Sequence, residues 1–491
     1  MKKSLLLCLP ALLVATSCVD SLTDYNVDPK RAQEGAAPGV TLTSSAELGL
    51  ARLLESTNVN LNPFRLFVQY WTETLYNDES NYNLKTRSID RFFWERLYVG
   101  RGSTDPTIAP GVLANLREAK SLISADQFLD AKIKANQLAC IEVLSVYAWT
   151  VLVDSYGNVP YSQALDYTNP QPQYDDAATI YTDLFKRLNA AIAQMNTTSD
   201  GLGSSDLIYN GNMTKWAKFA NSLKLRMAIT TADADAGRAK TQAEAAAAAG
   251  VFTSNADNTT FAFQSSLPNT NPLWEDLVNS GRHDFVGTSF FVENLKTLQD
   301  PRLSVYFKPV AKTTGTYLGG VNGGLNTASK FSNPGAVLED PTLPGILASY
   351  SEVEFLLAEA AARGFSVGNT AASHYNAGIT ASIAQWGGSA TDATAYLTMP
   401  SVAYATAAGD YKQKIGTQVW IALYNQPVQA WTEWRRLDYP KLTAPVNALS
   451  PIPLRLTYPS VEQNLNSANY TTAAAAIGGD KVDSKIFWDK F

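Results

Sequence analysis

The chain has 491 residues, 45% hydrophobic, 17% charged and 11% aromatic, with a formal charge of −6. No lysine- or arginine-rich block occurs, which argues against nucleic acid as a partner, because phosphate binding needs clustered positive charge. Three cysteines are too few for a disulfide framework, and the length leaves ample room for a large core.

Lys2 and Lys3 precede an apolar run from Leu5 to Val14, broken only by Pro10, and the small residues Ala15, Thr16 and Ser17 follow. This pattern predicts a secretory signal over residues 1–17. The run is too short for a spanning helix, which needs roughly 20 apolar residues. Ala15-Thr16-Ser17-Cys18 is similar to a bacterial lipobox, in which the cysteine becomes the first residue and carries lipid. Several acyl chains on Cys18 give lasting anchorage, at about 0.8 kcal/mol per buried methylene. Under ordinary cleavage, Cys18 would instead remain a thiol able to pair with Cys140. Loss of Lys2 and Lys3 takes the mature charge to −8. Residues 18–40, with Asp20, Asp24, Asp28, Pro29 and Pro38, read as a flexible tether, and residues 41–491 as one domain.

Residues 69–83, "QYWTETLYNDESNYN", place Trp71, Tyr76 and Tyr82 beside Asn77, Asp78 and Asn81. Aromatic faces suit the C–H faces of sugar rings, and amides and carboxylates suit their hydroxyls, so this stretch is a candidate ligand site. The segment around Cys140 has an apolar helical pattern, which makes Cys140 a small buried hydrophobe. Gly157 and Pro160 close that helix. "IYTDLFKRLNAAIAQM" (180–195) and "TKWAKFANSLKLRMAITTA" (214–232) carry apolar residues at helical spacing. Tyr147, Tyr181 and Trp216 recur near the tetratricopeptide period of about 34 residues, which fits helix pairs stacked as a solenoid.

Asp233, Asp235 and Glu244 stand at calcium-loop positions one, three and twelve, but Arg238 occupies the place where such a loop wants glycine. A structural calcium is therefore unsupported, and no cofactor or metal is expected. "EAAAAAGVF" (244–252) reads as the most apolar stretch after the signal, and no later segment is expected to span a bilayer. Residues 271–285 add Trp274, Arg282, His283 and Asp284 as further ligand candidates, whereas Trp94 and Trp386 read as weaker ones. The glycine- and asparagine-rich stretch 312–335 is too long for a mere connector. Ser349 or Ser351, followed three residues later by glutamate, predicts a capping box, and Arg363-Gly364 predicts the stop. Pro427 opens a later helix, in which Arg435 and Arg436 could fork onto Glu359 or Glu354.

Several stretches in order resemble the SusD/RagB family of nutrient-binding outer-membrane lipoproteins. They are "DSYGNVPYSQAL" (154–165), "WAKFANSLKLRMA" (216–228), "DPRLSVYF" (300–307), "SYSEVEFLLAEAAARG" (349–364), "HYNAGITAS" (374–382), "TQVWIALYNQPVQAWTEWRRLDYP" (417–440) and "IPLRLTYPSVEQNLNSANY" (452–470). The acidic residues behind Cys18 resemble the surface-export signal of Bacteroidetes lipoproteins. The resemblance implies an all-α fold of TPR-like helix pairs in a right-handed superhelix with long irregular loops. It implies a lipid-anchored protein on the outer face of the outer membrane. It also implies capture of an oligosaccharide, or a peptide, for a SusC-like TonB-dependent β-barrel transporter. These motifs read mostly as scaffold, and the pocket is expected in loops.

Catalysis is not expected. The two histidines are His283 and His374, and no HExxH, GxSxG, CxxC or P-loop motif occurs. The rival readings are a lipid-anchored glycoside hydrolase of helical fold, which needs a carboxylate pair across a cleft, and a helical protein-interaction scaffold.

Overall fold

The structure, a computed structural model, describes residues 37–100, 111–310 and 315–491. The signal segment, Cys18 and the tether as far as residue 36 lie outside the described residues. Helix α1 spans Gly39–Glu55, so the last two residues assigned to the tether already belong to a helix.

The all-α class is borne out. Helices α2 (Ile89–Tyr98), α3 (Leu113–Ala125) and α4 (Ala131–Tyr156) pack beside α1. Helix pairs follow: α4 with α5 (Ala177–Gln194), then α6 (Met213–Thr230) with α7 (Ala236–Ala249). After α8 (Ser289–Thr297) come α9 (Tyr350–Ala362) and α10 (Ala371–Gln385), then α11 (Ala390–Leu397). Next α12 (Tyr411–Ala422) pairs with α13 (Pro427–Leu437), and two short helices, Ser460–Leu465 and Ser467–Ala476, come after. Strands are short and come in antiparallel pairs: β1 (Trp71–Glu73) with β5 (Phe285–Gly287), β2 (Val159–Pro160) with β3 (Tyr174–Asp175), and β4 (Thr259–Phe261) with β6 (Gly345–Ala348).

Helix α4 corrects the expectation about apolar segments. Its 26 residues are long and apolar enough to cross a membrane, and the Ala-rich stretch 244–252 is not the most apolar one. Its apolar window is 94% buried inside the protein, so α4 is a core helix. Asp130 caps it by accepting the Lys132 and Ile133 amides, and Gly157 ends it at a φ of +82°. Cys140 lies fully buried on this helix, and burial pushes its thiol pKa up. The expected tetratricopeptide period also needs correction. Tyr147, Tyr181 and Trp216 sit on α4, α5 and α6, so the spacing steps by one helix rather than by one helix pair.

Buried ion pairs tie the helix pairs together. Arg226 of α6 forks onto Glu352 of α9 at 2.5 and 2.7 Å. Ser349 caps α9 through the Glu352 amide, but the Glu352 carboxylate goes to Arg226, so the reciprocal half of the expected capping box is not made. Arg436 forks onto Glu359 as expected. Arg435 does not. It stacks 3.5 Å over the Trp431 ring and donates to the Asp154 and Leu454 carbonyls, while Glu354 pairs with His374 at 2.6 Å. Asp233 pairs with Arg363, and Asp235 caps α7, so both calcium-loop aspartates serve the scaffold.

One glycine controls how the long loop seats on this scaffold. A Cβ at Gly335 would lie 1.8 Å from the Val305 carbonyl oxygen. Gly335→Ala is therefore expected to destabilise by about 1–3 kcal/mol through overpacking, measurable as a lowered urea midpoint.

Candidate functional site

The β1–β5 ladder builds the site. Trp71 pairs with Gly287, Thr72 with Val286 and Glu73 with Phe285. Beyond the ladder, Thr74 donates its amide to the Asp284 carbonyl at 2.8 Å and its hydroxyl to the His283 carbonyl at 2.8 Å. The two candidate stretches, 69–83 and 271–285, are thus brought side by side although about 200 residues separate them. The long glycine-rich loop supplies a third wall. Gly320 donates to the Gly287 carbonyl at 2.8 Å, and Asn326 donates its side-chain amide to the Glu73 carbonyl at 3.1 Å.

Arg282 and Asp284 form a ridge, Nε to Oδ2 2.5 Å, that borders three adjoining depressions. One, of about 510 Å³, is lined by His283, Lys308, Ser329 and Asn333. The second, of about 260 Å³, is lined by Thr57, Asn58, Asn60, Tyr76, Arg87 and Asp276. The third, of about 510 Å³, lies between Tyr76, His283 and Thr327. Tyr76 is 66% exposed and stands on a left-handed backbone with φ +56°. This combination of one presented ring and many amides and hydroxyls is the lining expected of a polyhydroxylated ligand site.

The structure brings Tyr76, Arg282, His283 and Asp284 together and sets the other candidates apart. Trp71 is 1% exposed: its indole donates to the Tyr424 hydroxyl at 2.7 Å, and its ring lies against Phe285 and Arg65. Tyr82 is 2% exposed, and its hydroxyl accepts from Gln69. Neither can offer a face to a ligand, which corrects the expectation for both. Asn77 donates to the Gly323 carbonyl at 2.5 Å and holds the glycine-rich loop. Asp78 is half-buried, and its carbonyl accepts the Asn81 and Asn83 amides. Trp274 is half-buried and lies outside the three depressions. Trp94 and Trp386 belong to the core. Asn58, Asn60, Lys308, Asn333 and Glu339 escaped the reading of the sequence. The asparagine-rich run "NVNLNP" (58–63) was the one legible signal among them.

Among the described residues, each arginine and lysine lining the depressions has a carboxylate partner. Arg282 holds Asp284, Lys308 holds Glu339 at 2.5 Å, and Arg87 holds Glu79 at 3.1 Å. The Asp284 partner raises the Arg282 pKa. The remaining carboxylates are also engaged. Asp276 accepts the Thr57 hydroxyl, and burial, then Glu275 and Asp284, push its pKa up. Glu73 accepts from Ser80, and burial, then Glu79, push its pKa to about 8. The lining is therefore polar but internally neutralised.

The family model described as starch-binding and associating with the outer membrane, SusD-like, matches residues 29–459. No curated protein matches the chain. Among solved structures, a chitin-binding protein is 28% identical, with 92% of this chain and 100% of that one covered at a TM-score of 0.78. A chitin-binding SusD homologue from Flavobacterium johnsoniae is 25% identical, with 92% and 98% covered at 0.76. A SusD homologue from Bacteroides uniformis is 26% identical, with 92% and 99% covered at 0.76.

Proposed function

We propose, from the premise that this chain belongs to the SusD-like family, that it captures an uncharged glycan in the Tyr76–Arg282–Asp284 cleft. The observation that carries this reading is that, among the described residues, each arginine and lysine lining that cleft is paired with a carboxylate of its own. An anionic glycan or acidic peptide would have to break such a pair, whereas hydroxyls and N-acetyl groups can use the outer edges of the same groups. Tyr76 stacks on a sugar face, and Asn58, Asn60 and Asn333 serve as hydroxyl and amide partners. The two chitin-binding structures make an N-acetylglucosamine oligomer the first ligand to test.

The protein does no chemistry on this ligand. It is anchored through Cys18 to the outer membrane, faces the cell exterior, and hands its ligand to a SusC-like TonB-dependent β-barrel. The ordered scaffold behind mobile nutrient traffic makes such a division of labour physically economical: the loops select, and the helices hold the loops in place.

The test is calorimetry of the mature chain against N-acetylglucosamine hexamer, maltohexaose, polygalacturonate and a peptide digest, with product analysis of the same samples. Heat with a neutral glycan, none with polygalacturonate and no product is the expected result. Tyr76→Ala is expected to weaken that binding by about five- to thirtyfold, the equivalent of roughly 1–2 kcal/mol. Preference for polygalacturonate or the peptides, or a hydrolysed product, would overturn the reading.

A further inference from the structure

The segment that presents Tyr76 is closed on itself by one carboxyl group. Glu73 Oε2 accepts the Ser80 amide at 2.9 Å and the Ser80 hydroxyl at 3.0 Å, and the Glu73 amide donates back to Ser80 Oγ at 2.9 Å. Tyr76 and Tyr82 both take left-handed backbone, at φ +56° and +61°, so the segment is held in a conformation that its residues disfavour. Glu79 lies within hydrogen-bonding reach of Glu73 and is fully buried. Among the described residues, neither Glu79 oxygen has a well-directed donor, although Arg87 Nε lies 3.1 Å away. A proton on Glu73 is the donor that Glu79 lacks.

We infer that Glu73 and Glu79 share one proton, and that this proton latches the Tyr76 segment shut against the cleft. This rests on the reading of the cleft as the ligand site. Other groups reach the pair from several sides. Asp78 and Arg87 act on Glu79 from its own segment, and Asp276, Arg282 and Asp284 line the same small depression as Glu73 from the facing one. With Glu73 ionised, five carboxylates (Glu73, Asp78, Glu79, Asp276 and Asp284) would stand near only two guanidinium groups, Arg87 and Arg282. The Ser80 hydrogen bonds favour the anion, but burial and then Glu79 outweigh them and hold the Glu73 pKa at about 8. A carboxyl pKa raised in the closed state means that closure is fully supported below the ordinary carboxylate range. That support is lost as pH rises through about 8. Opening of the segment would carry Tyr76 away and release the sugar face.

The test compares the full mature protein with its Glu73→Gln variant, whose side-chain amide can donate to Glu79 in place of the proton. Hydrogen exchange of residues 74–83, corrected for intrinsic rates, is measured without ligand at pH 6 and pH 9. Protection of the Ser80 amide is expected to fall tenfold or more in the wild type and to change less than twofold in the variant. Equal protection at both pH values in the wild type would overturn the latch. So would a variant that loses protection as the wild type does. In parallel, calorimetry with N-acetylglucosamine hexamer is expected to show weaker binding at pH 9 for the wild type only. Absence of hexamer binding at either pH would sink the ligand reading, while the exchange arm still decides the latch.

Discussion

Replacing Glu359 with alanine is expected to destabilise the protein by about 3–5 kcal/mol. Glu359 is completely buried on α9 and accepts from Arg436 at 2.5 and 2.6 Å and from Arg363 at 2.8 Å. Arg436 is equally buried, and among the described residues only Glu433 would remain as its ion-pair partner. The loss is therefore one of an uncompensated buried cation, more than of a favourable pair. Burial raises the Glu359 pKa, but Arg436 and Arg363 overcome burial and leave it below the ordinary carboxylate value. A depressed carboxyl pKa supplies stability above about pH 4.5, which is lost as the pH falls through the folded-state value. Urea unfolding at pH 7 measures the first effect, and a shallower loss of stability at acid pH in the variant measures the second. A Glu359→Leu, Arg436→Met, Glu433→Gln triple variant is expected to regain most of the loss, because it removes all three charges of the buried cluster together.

Trp431→Ala is the second substitution with a large expected effect, about 3–5 kcal/mol from lost packing and the cavity alone. The indole is fully buried on α13, with ring centroids 4.9 Å from Phe64 and 5.7 Å from Phe67. It donates to the Pro453 carbonyl at 2.7 Å, and the Arg435 guanidinium stacks 3.5 Å above it. Alanine would leave that carbonyl without this donor and Arg435 over a void, adding to the cavity term. Thermal unfolding of Trp431→Phe beside Trp431→Ala separates the contributions, since phenylalanine restores the ring but not the donor. Phe64, Phe67 and Trp431 lie behind the segment that leads into β1, so the alanine variant is also expected to loosen the cleft wall.

Helix ends were the most legible feature of the sequence, because capping chemistry is local. Gly157, Pro427 and Ser349 act where their residue types suggested. Partners were legible only where one geometry dominated. Arg435 and Arg436 are neighbours in sequence but point in different directions around α13, and only Arg436 meets the carboxylate of α9. The site was half legible. Aromatic composition found the segment 69–83 but could not separate Tyr76 from Trp71, because β1 is only three residues long and all three are buried. No alternation survives there to mark an inner and an outer face. The pairing of residues 74 and 284 was beyond local reading, since it is made by a ladder between distant segments. Lys308 and Glu339 were missed for the same reason.

The cleft draws its walls from residues within 57–60, 73–76, 87, 276–285, 308 and 326–339. Nothing resembling it exists in any one stretch of chain. A polypeptide made in order, N-terminus first, meets its own first wall again only after most of the intervening helices have collapsed. Contacts of such long sequence separation form slowly, because the entropy of closing the loop comes before their reward. The proposed binding cleft is thus expected to be among the last features to form, and a polypeptide shortened before residue 339 would lack part of its walls. The ability to hold a sugar would accordingly serve as a record that folding has run to completion.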